Sequence, residues 1–354
     1  MAVVLFSLLF VMGALPVSRS GAASRSKARL RGPLNTVWGE SRPDELKLVI
    51  VSDLDQASAV DGKKPTWRSI FKRGTLKHFK NHDGVIYSID WEPDVNLIGG
   101  IGEEGRGMEL SELQTWQGKL MSFDDRTGIA YEITKDMKAI ARYILMEGDG
   151  LQPKGQKTEW ATVKDGVMYV GSFGKEYVNQ DGTIKNRWNL WVSTIDENGN
   201  VGHEDWTDKF EVLRKATGAS WPGYMIHEAI RFDDVGRKWV VCPRRVSSDK
   251  YDEKLDERRG SNLVMILDEG FTKVERMFSV GPQIPLRGWS TFQFVPGTGN
   301  DVVVAVKTEE DENKLTGATQ QRSFVTVFRL SDGKELMPQT PIPGKAKFEG
   351  LDFL

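Results

Sequence analysis

The chain has 354 residues, 48 basic and 50 acidic side chains, a formal charge of -2, 36 glycines, 11 tryptophans and a single cysteine. The length holds one large domain or two ordinary ones, and the balanced charge excludes the overall basic field of a protein that binds a nucleic-acid polymer. Cys242 alone excludes an internal disulfide framework and any CxxC site, and four histidines leave little for a histidine-rich metal centre.

In chain order, residues 2–15 form an uncharged apolar run that is shorter than the roughly 20 residues needed to span a bilayer. Ser18 through Ala23, small residues apart from Arg19, follow it. The pattern reads as a signal peptide over 1–22, cleaved or kept as an anchor, followed by an extension over 23–44. It sends the protein to the secretory lumen (ER/Golgi) or outside the cell, with no other membrane segment. From 45 to 354 the chain reads as a single domain of short strands joined by glycine turns. Helical periodicity is confined to Trp206–Ala216. Asp165-Gly166 is a hairpin signal, and Cys242 sits in an apolar context that suits a buried thiol.

A unit repeats along these strands. It begins at Ser111, Glu159, Glu228 and Ser290, with a short strand, a glycine turn and a second apolar strand ending in charged or glycine-rich residues. A fifth start fits Glu349, where the chain stops before its second strand. The missing strand has a counterpart at the other end, Leu46 through Asp55. Five units, the last completed by the N-terminal strand, predict an all-β, five-bladed β-propeller closed by its two termini, which protects the sheet edges. A β-sandwich with unrelated hairpins is the alternative.

First strands of propeller blades line the central axis. Ser111, Glu159, Glu228, Ser290 and Glu349 would then form a ring of oxygen-bearing side chains. Three crowded carboxylates repel unless a cation neutralises them, and an all-oxygen donor set suits Ca²⁺ before Mg²⁺. The ends of the second strands would meet on one rim: Asp53 and Asp55, Asp124-Asp125-Arg126, Gly171 through Lys175, Arg244-Arg245, and Lys307 with Glu309 and Glu310. Mixed carboxylates and cations there suit an anionic ligand, or simply a solvated rim.

These segments resemble the soluble calcium-activated nucleotidases, or apyrases. The resemblance is carried from about residue 45 to the end by Ser52-Asp53-Leu54-Asp55, Gly105-Arg106-Gly107-Met108-Glu109-Leu110-Ser111, Phe123-Asp124-Asp125-Arg126-Thr127-Gly128, Thr158-Glu159-Trp160, Pro222 through Glu228, Pro243-Arg244-Arg245 and Phe348-Glu349-Gly350-Leu351. It implies a five-bladed propeller with Ca²⁺ in the central tunnel and hydrolysis of nucleoside di- and triphosphates such as UDP and GDP, with ADP and ATP in some members. It carries the calcium ligands onto Ser111, Glu159, Glu228, Ser290 and Glu349. Catalytic and phosphate-contacting roles fall on Asp53, Asp55, Asp125, Arg106, Arg126 and Arg245, with Asp124 beside them. It also implies a homodimer as an available oligomer.

The expected chemistry is metal-assisted water attack on the terminal phosphate, with positioning and electrostatics doing most of the catalysis. Asp125 is the first choice of base, with Asp53 and Asp55 as alternatives; Arg126 could instead pair with Asp124. Trp160 and Tyr177 are candidates for stacking on the base, and His227 for packing or orienting Glu228. The rivals are a secreted non-catalytic binding propeller and a propeller glycosidase, which needs two carboxylates across a sugar groove.

Overall fold

The computed structural model describes residues 45–62, 64–81, 84–312 and 319–354. The expected signal segment and extension, 1–44, lie outside them. The first blade contains β1 (Glu45–Asp53), β2 (Trp67–Asn81), β3 (Gly84–Trp91) and β4 (Val95–Gly99). The second is β5 (Leu110–Trp116), β6 (Lys119–Asp124), β7 (Ile129–Ile133) and β8 (Ala139–Ile144). The third holds β9 (Trp160–Lys164) and β10 (Val167–Gly171), an inserted hairpin of β11 (Tyr177–Val178) and β12 (Ile184–Asn186), then β13 (Trp191–Ile195) and β14 (Val201–Asp205). After helix α1 (Thr207–Thr217) comes the fourth blade, β15 (Tyr224–Asp233), β16 (Lys238–Ser247), β17 (Leu263–Leu267) and β18 (Val274–Ser279), with the short α2 (Glu253–Asp256) before β17. The fifth is β19 (Arg287–Phe294), β20 (Val302–Glu312), β21 (Thr319–Arg329) and β22 (Glu335–Pro341), and β23 (Lys347–Phe353) ends the chain.

Every blade is an antiparallel sheet built outward in chain order except the first, whose order is β23-β1-β2-β3, with β4 also on β2. The C-terminal strand is therefore the inner strand of the blade that the N-terminal strand begins, and Val49 faces Asp352 across the joint. This is the closure expected from the truncated fifth repeat. The fold is a five-bladed β-propeller, and β5, β9, β15, β19 and β23 line its axis.

The apolar core lies between blades. Val49, Val51, Trp67, Phe71, Leu110, Leu113 and Tyr131 fill the space between the first and second. Trp160, Trp206, Phe210, Trp239 and Phe271 fill that between the third and fourth. Helix α1 buries Phe210 and Leu213 in the latter layer and stops at Gly218, whose φ of 71° supplies the left-handed cap. Cys242 is buried and unpaired, and burial raises its thiol pKa far above the usual range.

Candidate active site

The five repeat starts share a backbone reason for facing the axis. In β5, Leu110 pairs with Asp124 and Glu112 with Phe123, which leaves Ser111 as an extra residue. Ser290 is extra between Trp289 and Thr291, and Glu349 between Phe348 and Gly350. The β15 register slips across Glu228 and Ala229. At the entry to β9, Glu159 N–H donates to Gly171 O, the residue that also pairs with Trp160. A bulge kinks a strand and re-aims one side chain; a register shift marks four of the five inner strands, and Glu159 stands at the entry to the other.

All five residues are buried. Ser290 Oγ–H donates to Glu228 Oε2 at 3.2 Å, and Ser111 Oγ–H to Thr158 O at 2.5 Å, one residue from Glu159. Burial, joined by the charges of Glu228 and Asp125, pushes Glu159 up to about 8 against the pull of Lys157. Burial likewise raises Glu349, which feels Glu228, Asp53 and Glu159. Burial is the larger cause of both shifts and repulsion between the carboxylates adds to it; the all-oxygen donor set of three carboxylates and two hydroxyls is of the kind that fits calcium. Cations of the chain itself pair with these carboxylates: Lys157 with Glu159 at 2.7 Å, Arg244 with Glu228 at 2.7 Å and Lys347 with Glu349 at 3.3 Å.

Beside the ring lies a second acidic group. Asp53, Glu109 and Asp125 bring one carboxylate oxygen each within 4.8 Å of one another, and all three are buried. Asp53 ends β1 and accepts from Asp55 N–H at 2.7 Å and from Lys347 Nζ at 2.5 Å. Glu109 precedes β5 and takes both Nε and Nη2 of Arg106, at 2.7 and 2.5 Å. Burial and the charges of Asp53 and Asp125 still push Glu109 up to about 7. Asp125 Oδ2 pairs with Lys157, while its buried Oδ1 has no hydrogen-bond partner among the described residues. Asp55 is partly exposed, pairs with Arg106 at 3.0 Å and accepts from Gln321 at 2.9 Å.

The remaining candidates flank this group. Asp124 is buried; its Oδ2 accepts from Met108 N–H at 2.9 Å and its Oδ1 from Arg126 N–H at 2.9 Å. Met108 has φ 56°, a left-handed conformation costly for a side chain of that kind, and the Asp124 contact holds it. Arg126 reaches Glu103 at 3.3 Å and also Glu104. Arg245 pairs with Asp256 and lies 3.6 Å from Glu310. Arg244 sits behind the ring, and Gly288 leaves it room, since a Cβ there would lie 2.5 Å from Arg244 O.

Two sequence expectations about aromatics meet the packing. Trp160 cannot stack on a base: it is fully buried against Trp206, and its indole N–H donates to Ser172 O. His227 packs on Phe210 at 5.3 Å, and burial depresses it to about 3.

The sequence reading missed Glu109, Lys157 and Lys347 as site residues. A signal was present: each stands two residues before a repeat start, at Ser111, Glu159 and Glu349. It also missed Arg231, three residues after the start at Glu228, which links the inner strands to one another. Arg231 is buried and bonds to Glu112 Oε1 at 2.9 Å, Gln114 Oε1 at 2.6 Å, Leu113 O at 3.0 Å, Leu351 O at 3.2 Å and also Phe292 O.

The family model for apyrase matches residues 54–354. The chain belongs to the apyrase family. Soluble calcium-activated nucleotidase 1 of Mus musculus is 40% identical to this apyrase over 309 residues, covering 87% of this chain and 73% of its own. Apyrase apy-1 of Caenorhabditis elegans is 39% identical, covering 87% and 84%. The apyrase of Cimex lectularius is 37% identical over 333 residues, covering 94% and 89%. Among the described residues of this apyrase, no helix is long and apolar enough to cross a membrane.

Proposed function

We propose that this apyrase hydrolyses nucleoside di- and triphosphates (UDP and GDP, with ADP and ATP as further candidates) to the monophosphate and phosphate, and needs Ca²⁺ to do so. The observation that carries the reading is the meeting of two oxygen-rich groups, the bulge ring and the Asp53–Glu109–Asp125 trio, with cations threaded between them. Ser111, Glu159, Glu228, Ser290 and Glu349 would hold the calcium ion, which supplies charge neutralisation when bound. Arg106, Lys157, Lys347 and Arg245 would face the phosphates, with Arg126 at the edge. Asp124 fixes the turn that presents Asp125. The unpaired Asp125 Oδ1 accepts a proton from the attacking water, since it is the trio's open acceptor. Asp53 and Glu109 orient Lys347 and Arg106. Asp55, more exposed, adds to the Arg106 anchor.

A cleft lined by Val60, Pro65, Thr66, Trp67 and Gly105 opens one residue from Arg106 and would seat the base. Residues 45–354 act as one catalytic domain, with 1–22 as the secretory signal or anchor and 23–44 as an N-terminal extension, and the chain works in the secretory lumen or outside the cell, as a monomer or homodimer. The test is phosphate release from a panel of UDP, GDP, ADP, ATP and AMP at saturating Ca²⁺. Release from the di- and triphosphates but not AMP supports the reading; no release from any nucleotide refutes it.

A further inference from the structure

The three cations on the ring are not equivalent. Arg244 is buried and fixed, donating to Ser290 Oγ at 2.7 Å and Thr308 Oγ1 at 2.6 Å as well as to Glu228. Lys157 and Lys347 instead each bridge the two acidic groups. Lys157 Nζ joins Glu159 of the ring to Asp125 of the trio. Lys347 Nζ joins Glu349 of the ring to Asp53, and also lies 3.2 Å from Glu310. They occupy the same place in two repeats, two residues ahead of the ring glutamate. A lysine is a point charge on a flexible stem, able to change partners without losing a fixed fork geometry, and the Lys157 side chain is about one-third exposed.

We propose that Lys157 and Lys347 couple the ring to the catalytic aspartates by exchange. Both ammonium groups compete with a divalent cation for the oxygens of Glu159 and Glu349. When those oxygens are taken, the lysines give them up and serve Asp125, Asp53 and the nucleotide's phosphates instead. Calcium dependence would then lie partly in these lysines, because ring occupancy sets which partner each one keeps. The inference rests on the reading that calcium occupies the ring. A ligand that competes with a resident pair must bind more tightly once the pair is removed, and the coupling is reciprocal.

The experiment uses the full chain, stripped of calcium and titrated with Ca²⁺ by calorimetry without nucleotide. Lys157→Met should bind Ca²⁺ about tenfold more tightly than the parent, inside the usual range of site-to-site coupling, and Lys157→Arg should stay close to the parent. In parallel, lysine methylation read by peptide mass spectrometry should show Lys157 and Lys347 reacting faster when Ca²⁺ is added, and slowing again with a non-hydrolysable nucleoside diphosphate analogue. Unchanged or weaker Ca²⁺ affinity in Lys157→Met, or methylation rates indifferent to Ca²⁺, overturns the exchange. Glu228→Gln separates this from the underlying reading. If it abolishes Ca²⁺ binding while Lys157→Met leaves it unchanged, the ring stands and the exchange falls. If it binds like the parent, the ring assignment fails and takes the exchange with it.

Discussion

Replacing Arg231 by methionine should destabilise the propeller severely, although Arg231 belongs to neither acidic group. Its guanidinium sits at the tunnel axis and ties four blades together: Glu112, Leu113 and Gln114 from the second, Phe292 from the fifth and Leu351 from the first, with Arg231 itself on the fourth. Arg231 and Glu112 are 2% and 1% exposed, so the substitution strands a carboxyl that burial pushes up to about 8 against the pull of Arg231 and that also accepts from Thr291 Oγ1 at 3.0 Å. Removing one partner of such a pair costs about 3–5 kcal/mol. For a domain of ~310 residues, the per-residue unfolding entropy converts this to a fall in Tm of roughly 5–8 °C. Differential scanning calorimetry at fixed Ca²⁺ measures it, with Glu112→Gln added to Arg231→Met expected to recover part of the loss by removing the stranded charge. A single-variant Tm within about 1 °C of the parent would refute the claim that this cluster pins the blades, because no buried pair broken on one side should be that cheap.

Asp125→Asn should lower kcat by about 10²–10⁴-fold, the usual contribution of a positioned base, while the circular dichroism spectrum and Tm stay near the parent's; normal turnover would move the base elsewhere in the trio. Glu109→Gln should weaken the hold on Arg106 and cost up to ~10²-fold in kcat/KM through misplacement, measured by steady-state phosphate release. In chelator, Tm should fall as pH rises from about 4.5 toward 8, because burial and the neighbouring carboxylates hold the Glu159 carboxyl above its unfolded value, so ionising it in the folded state costs stability that its pair with Lys157 only partly returns. Glu349, also raised, acts in the same direction. Saturating Ca²⁺ should raise Tm most at the high end of that window, since metal binding requires ionised carboxylates; a Ca²⁺ effect that shrinks with pH would contradict the ring. Phe210→Ala should cost about 3–5 kcal/mol by opening a cavity between α1 and the third and fourth blades, visible as a lower Tm.

The architecture was legible because its repeat carries a backbone constraint. Ser111, Glu159, Glu228, Ser290 and Glu349 share a place in the repeat, and four of them sit at a register shift, so periodicity in polar residues at strand starts reported geometry as well as burial. Closure was legible from the lone terminal strand around Glu349 and its spare partner at Leu46–Asp55, which pair as β23 and β1. Glu109, Lys157 and Lys347 were harder to see. They stand two residues ahead of the unit starts, and their importance comes from partners far away in sequence, such as Lys347 with Asp53. Arg231 was hidden for the opposite reason: it sits inside a strand whose alternation reads as ordinary, and only the convergence of blades makes its position special. The rim arginines divide in a way composition could not show, Arg106 joining the trio through Glu109 while Arg126 reaches Glu103 and Glu104.

On the proposed function, the bulge ring holds the calcium ion on which nucleotide hydrolysis depends. Phosphate release from UDP and GDP by the full chain, followed through complete calcium removal verified by elemental analysis and then readdition, tests it most directly when run beside Glu228→Gln. Release should stop on removal, return on readdition in the parent, and not return in Glu228→Gln. Undiminished release from calcium-free protein, or full recovery by Glu228→Gln at the parent's Ca²⁺ concentration, would contradict it.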